Sequence, residues 1–205
     1  MKQRWRRLLS SSVGCAPILA VALLATSAAA QQDIDPWAKG TSWAAVRFGY
    51  AKSAAEGAAD GNVGFGFVYT AFRSTKWSYG ASAQVDYLGR YGTSHQIEAP
   101  FTVETARHFK WATPTRPYLG AGLGAYYQKI QGTTDDAASF EPGAYFMLGS
   151  NTPVSPRGLL GFDVRVSYVG LNNQDNPVFG GEATTGRHQS HAYHWSAKLS
   201  YAWVL

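Results

Sequence analysis

From residue 43 onward the chain alternates apolar and polar positions with period two, in blocks separated by polar segments. In the closing block, "HWSAKLSYAWVL", Trp195, Ala197, Leu199, Tyr201 and Trp203 share one face, and Ser196, Lys198, Ser200 and Ala202 share the other. Period two predicts an extended strand with its side chains on alternate sides. "WSYGASAQVDYLG" repeats the pattern, with Trp77, Tyr79, Ala81, Ala83, Val85 and Tyr87 on the apolar side. So does "GNVGFGFVYTAF", where Val63, Phe65, Phe67, Tyr69 and Ala71 oppose small residues such as Gly64 and Gly66. "RPYLGAGLGAYYQK" sets Leu119, Ala121, Leu123, Ala125 and Tyr127 against Tyr118, Gly120, Gly122, Gly124 and Tyr126. "LLGFDVRVSYVG" sets Leu160, Phe162, Val164, Val166 and Tyr168 against Gly161, Asp163, Arg165 and Ser167. Weaker copies cover 43–51, 96–109 and 139–150. Eight strands in series, each of about 9–15 residues, are therefore predicted.

Along the chain, tight turns alternate with generally longer polar loops. "STK", "KWATPT" and "NTPVSPR" alternate along the chain with "KSAAEGAADG", "RYGTSH", "GTTDDAA" and the long "NNQDNPVFGGEATTGRHQ". Tight turns at one end and longer polar loops at the other are the asymmetry of an outer-membrane barrel. The loops at 52–60, 90–95, 132–138 and 172–188 are the expected external ones. A soluble barrel would hide its apolar face and show charge to water. Here the non-apolar face carries mostly Gly, Ser and Thr with a few ionised groups, which suits a narrow interior filled by side chains. The apolar face is expected to meet lipid. Trp43, Tyr50, Trp77, Tyr87, Trp195 and Trp203 lie near strand ends and are expected to form the interfacial girdles.

Composition alters this picture at the N-terminus. "MKQRWRRLL" is a basic start, 16–25 is a short apolar run, and Ala28-Ala29-Ala30 is a small-residue cleavage site. The run is too short to span a bilayer and reads as a cleaved signal peptide. Cys15 precedes the apolar core, which fits a lipoprotein box poorly. Removing 1–30 takes away Lys2, Arg4, Arg6 and Arg7 and no acid. The 18 basic and 13 acidic residues become 14 and 13, so a formal charge of +5 falls to +1. The basic balance thus belongs to the signal and gives no argument for nucleic acid. The mature chain has no cysteine, hence no disulfide and no thiolate metal site. The expected organisation is a signal peptide at 1–30, a short periplasmic segment at 31–42, and a barrel at 43–205.

"RPYLGAGLGAYY" and the closing "LSYAWVL" resemble strands of the small eight-stranded outer-membrane barrels, the OmpA/OmpX/OmpW-like group. The resemblance runs over the whole mature chain. It implies an all-β, antiparallel, up-and-down transmembrane β-barrel in the outer membrane of a Gram-negative bacterium. The implied partners are outer-membrane lipid, lipopolysaccharide, the barrel-assembly machinery during insertion, and an extracellular partner at the loops. The chain departs from that group by ending in Leu205 rather than an aromatic residue. Pro100 and Pro142 also lie within expected strands, which implies bulges there or misplaced boundaries.

Candidate chemistry lies on the inward face, with Arg47, Asp86, Glu98, Glu104, Asp163, Arg165 and Lys198, and His108 and His194 nearby. Buried charges must be paired, so these are read as an interior ion-pair network rather than an active site. "HQSHAYH" offers a second reading. The spacing of His188 and Ser190 resembles that of the PagL-type lipid A deacylases, in which His activates Ser and a downstream Glu orients the His. No Asp or Glu follows Ser190, and Glu182 precedes the motif. His188, His191 and His194 are read as polar residues at a loop border rather than a metal set, and no cofactor is expected. Asp135, Asp136 and Asp175 are candidate contacts to cations or to ions bridging lipopolysaccharide. The leading function is therefore a structural or surface-interaction role through external loops. An OmpW-like narrow channel for small hydrophobic compounds and a lipid A-modifying hydrolase are the alternatives.

Overall fold

The computed structural model describes residues 34–54, 61–91, 94–131, 136–170 and 192–205. The expected signal peptide and its cleavage site lie outside the described residues, as do His188, Ser190, His191, Glu182, Asp135 and Asp175. Eight strands follow in order: β1 Ser42–Ser53, β2 Asn62–Ser74, β3 Trp77–Tyr91, β4 Ser94–His108, β5 Arg116–Gln131, β6 Asp136–Ser155, β7 Gly158–Val169 and β8 Ala192–Val204. Each pairs antiparallel with its chain neighbours, and β1 pairs with β8, so the sheet closes into an up-and-down barrel. Closure pairs the backbone of every strand on both sides and abolishes the free edge, as lipid requires.

The two faces part as the period-two pattern predicts. Phe48, Leu123, Phe146, Leu148 and Leu199 point outward, with Phe146 73% exposed. Arg47, Asp86, Glu98, Asp163, Arg165 and Lys198 point inward and are buried. A water-soluble domain does the reverse, since large apolar patches are held off its surface. Every strand has 12 or more residues, longer than the roughly 9–11 a tilted strand needs to cross hydrocarbon.

Several boundaries move. "NTPVSPR" is expected as a turn, yet β6 pairs with β7 out to Ser155↔Gly158, leaving a two-residue turn at Pro156 and Arg157. Residues 90–95 are expected as a loop, but β3 and β4 pair to Tyr91↔Ser94, and β5 and β6 to Gln131↔Asp136. The length sorting is thus kept by 54–61 and 170–191 at the loop end against 75–76 and 156–157 at the turn end. It is reversed where 92–93 is shorter than 109–115.

Neither proline sits at a bulge. Pro142 lies on the part of β6 that extends past the β7 ladder, which begins at Gly143↔Val169, so its missing donor has no ladder bond to make. Its carbonyl instead accepts from the Gly170 N–H at 3.0 Å. At Pro100 the β3–β4 ladder lapses between Ala83↔Phe101 and Asp86↔Glu98 without a change of register. The register shift between those strands falls at Tyr87/Gly89, where Gly89 takes a φ of 105° that only glycine adopts freely.

The turn end is closed by an apolar plug. Trp37, Trp43, Phe72, Leu159, Ala202 and Val204 form one buried cluster, with Ile34 packed against it. Trp43 is expected in the lipid girdle; it is 4% exposed and lies inside. The reason is parity, because Trp43 and Arg47 are four residues apart on one strand and share a face. The segment before β1, expected to lie outside the barrel, contributes Trp37 to this plug. Trp43 Nε1 donates to the Pro36 carbonyl at 2.7 Å, and the Arg116 guanidinium lies 4.3 Å from the Trp37 ring centroid.

Candidate functional site

Above the plug the lumen is built of polar layers. In the central layer Arg47 from β1 faces Asp163 from β7 at 3.3 Å and Glu104 from β4 at 3.9 Å. Arg165 Nε donates to Asp163 Oδ1 and its Nη2 donates to Glu104 Oε2, each at 3.0 Å. The Tyr145 hydroxyl donates to Glu104 at 2.5 Å, and its ring lies 4.7 Å under the Arg165 guanidinium. Two cations and two carboxylates therefore neutralise one another where little water reaches. Toward the loop end, Lys198 Nζ donates to Asp86 at 2.5 Å and to Gln84 at 2.6 Å. Lys198 and Asp163 are both 0% exposed. A third layer brings His194 Nδ1 to within 2.6 Å of Glu98, which also accepts from Gln128 at 2.8 Å. Nearer the plug, Ser78 Oγ hydrogen-bonds His108 Nε2 at 2.9 Å.

The strands dictate this arrangement through size complementarity. The three buried tyrosines of β5 and β6 each lie against a glycine of the neighbouring strand: Tyr118 on Gly149, Tyr126 on Gly143, and Tyr145 on Gly122. Gly120, Gly122 and Gly124 raise the expectation of a side passage. Instead Met147 fills the space at Gly120, Tyr145 fills that at Gly122, and the β4 backbone at Phe101 closes on Gly124. The cavity between the second and third layers measures about 20 Å³, room for about one water molecule.

All seven inward charges expected from the sequence are thus placed in the lumen, and the contacts join residues from strands far apart in the chain. The reading missed Glu141, which is buried and shares the inward face of β6 with Tyr145. Ser82 and Gln84, on the polar side of "WSYGASAQVDYLG", and Thr102 and Gln128, which no motif singled out, are the neutral partners that complete the layers. All of these follow from the same parity that places the charged set. Of the expected girdle, Tyr50, Trp77, Trp195 and Trp203 lie outside at the two rims. Tyr87 is half-buried there, its hydroxyl bonded to His95 Nδ1.

The barrel fold recurs among solved structures. Neisserial surface protein A superposes with a TM-score of 0.62 at 12% identity, over 79% of this chain and 96% of that one. The fold is that of the small outer-membrane β-barrels. The N-terminal β-barrel domain of Pseudomonas aeruginosa OprF gives 0.53 at 13% identity, covering 80% and 97%. Ail of Yersinia pestis, solved with the heparin analogue sucrose octasulfate, gives 0.53 at 12% identity, covering 82% and 99%. No protein-family model matches the chain, and no curated protein matches it. At such identities the shared property is the fold, and function must be argued from this chain's own side chains.

Proposed function

We propose that this protein is a non-transporting outer-membrane scaffold whose external segments contact lipopolysaccharide or an extracellular partner. The observation that carries the reading is the filled lumen: among the described residues, three layers of paired polar groups and an apolar plug occupy it, around a cavity of about 20 Å³. Variable chemistry then resides in the loops, which a rigid barrel presents at one end. The shorter turns at 75–76 and 156–157 mark the periplasmic side, and 54–61 and 170–191 the external side.

Charge indicates what those segments favour. By sequence, the longer connections and their borders carry Glu56, Asp60, Asp135, Asp136, Asp175 and Glu182 against Lys52, Arg90, Lys129 and Arg187. An acidic balance suits lipopolysaccharide phosphates bridged by divalent cations, not a sulfated ligand such as the one seen with Ail. The test compares the unmutated barrel with a variant whose residues 172–188 are replaced by a short Gly-Ser turn. Binding to lipopolysaccharide vesicles, with and without calcium, is the readout. Calcium-dependent binding that falls in the variant supports the reading. Equal binding by both proteins, or solute flux through the unmutated protein in a vesicle-swelling assay, would sink it.

A further inference from the structure

The described residues at the turn end are charged in one direction. Arg73, Lys76, Arg107, Lys110 and Arg157 are all exposed there, spread over the three turns. None of them forms an ion pair among the described residues. Asp35 carries the one acidic side chain among the described residues of that end, and its carboxylate accepts from the Trp37 N–H at 3.0 Å. Cations left without carboxylates on so small a rim repel one another, so the arrangement favours an external anion.

Their depth identifies it. Arg107 is the register partner of Trp77, and Arg73 adjoins Ser74, which also pairs with Trp77. The Arg107 guanidinium lies 5.5 Å from the Phe109 ring centroid. Trp77, Phe109 and Trp111 are 44%, 40% and 62% exposed, at the end of the apolar band. Exposed Trp beside Arg or Lys is the chemistry of the bilayer interface, where the ring sits among headgroups and the long cation extends to them. A site for a soluble polyanion has no need of apolar rings at that depth.

We infer that this rim binds the phosphate headgroups of anionic phospholipid in the leaflet that surrounds the turn end. With the orientation proposed above, that is the periplasmic leaflet; the lipid preference itself holds for either orientation. Attraction of a basic residue to an anionic surface corresponds to about a fivefold preference per cation at modest salt, so several cations give a measurable enrichment.

The test reconstitutes the full mature chain in vesicles of equal phosphatidylcholine and phosphatidylglycerol, then counts co-released lipids by native mass spectrometry. Phosphatidylglycerol should be retained over phosphatidylcholine by at least about fivefold. The combined variant Arg73→Gln, Lys76→Gln, Arg107→Gln, Lys110→Gln should bring retention near the bulk ratio. High salt should do the same to the unmutated protein, an arm that stands even where the variant does not fold. The variant with 172–188 replaced should keep the preference, which separates this inference from the loop function. Retention at the bulk ratio by the unmutated protein overturns it, as does a preference unchanged by both salt and the four substitutions. Binding to a soluble polyanion such as dextran sulfate, without lipid enrichment, overturns it in favour of a periplasmic partner.

Discussion

Replacing Arg165 by Ala should destabilise the folded barrel more than any loop substitution. Arg165 is 3.0 Å from Glu104 and 3.0 Å from Asp163, and both carboxylates are almost wholly removed from solvent. Without it Arg47 alone faces two carboxylates, at 3.9 and 3.3 Å, and the central layer carries a net negative charge. Leaving one buried charge uncompensated costs about 3–5 kcal/mol. A loss of even about 3 kcal/mol lowers the folding constant by more than a hundredfold. The loss of the guanidinium from the Tyr145 ring acts in the same direction, though the two contributions do not add simply. The assay is equilibrium unfolding by denaturant in lipid vesicles, with refolding traces checked for coincidence. Thr113→Ala, at an exposed position of the 109–115 connection, serves as the control and should stay within about 0.5 kcal/mol. Arg165→Ala combined with Glu104→Gln should cost less than the sum of the single changes, by about 1–3 kcal/mol, because removing a carboxylate restores the balance. An Arg165→Ala protein as stable as the control would refute the network, and strict additivity would refute its coupling.

Gly122→Val would place branched methyl groups into the Tyr145 ring, whose Cε1 lies 2.5 Å from a Cβ at that position, and should lower stability by about 1–3 kcal/mol. An unchanged denaturation midpoint would contradict the packing described. Mass spectrometry of the exported protein should find a mature N-terminus at Gln31, and a chain retaining Met1 would count against a cleaved signal. Ser190→Ala should leave membrane lipid A unchanged, because the lipid A-hydrolase reading lacks an acid after Ser190. Deacylated lipid A formed by the unmutated protein and lost in the variant would move that reading to first place.

The period-two pattern was enough to read eight strands, their faces and the residues of the lumen, because lipid outside and a narrow interior leave each position one environment. Trp43 shows the limit of judging a residue by type. An aromatic near a strand end suggests the interface, yet it shares its face with Arg47 and belongs to the plug. Applying parity strictly would have moved it inward, and would have added Glu141. The ion pairs were not legible. Arg47, Glu104 and Asp163 come from β1, β4 and β7, and their meeting depends on strand stagger, which no local pattern encodes. The extended β3–β4 and β5–β6 hairpins were hidden because polar residues beyond the membrane keep pairing without any lipid face to mark them. His188 and Ser190 remain a sequence motif outside the described residues.

Planar-bilayer recording shows whether the barrel is closed by its own side chains. Purified, folded protein inserted into a bilayer should give no large, steady conductance, because paired charges, tyrosines over glycines and the tryptophan plug occupy the lumen. Porin-sized steady steps from the unmutated protein would contradict it and assign transport to this barrel.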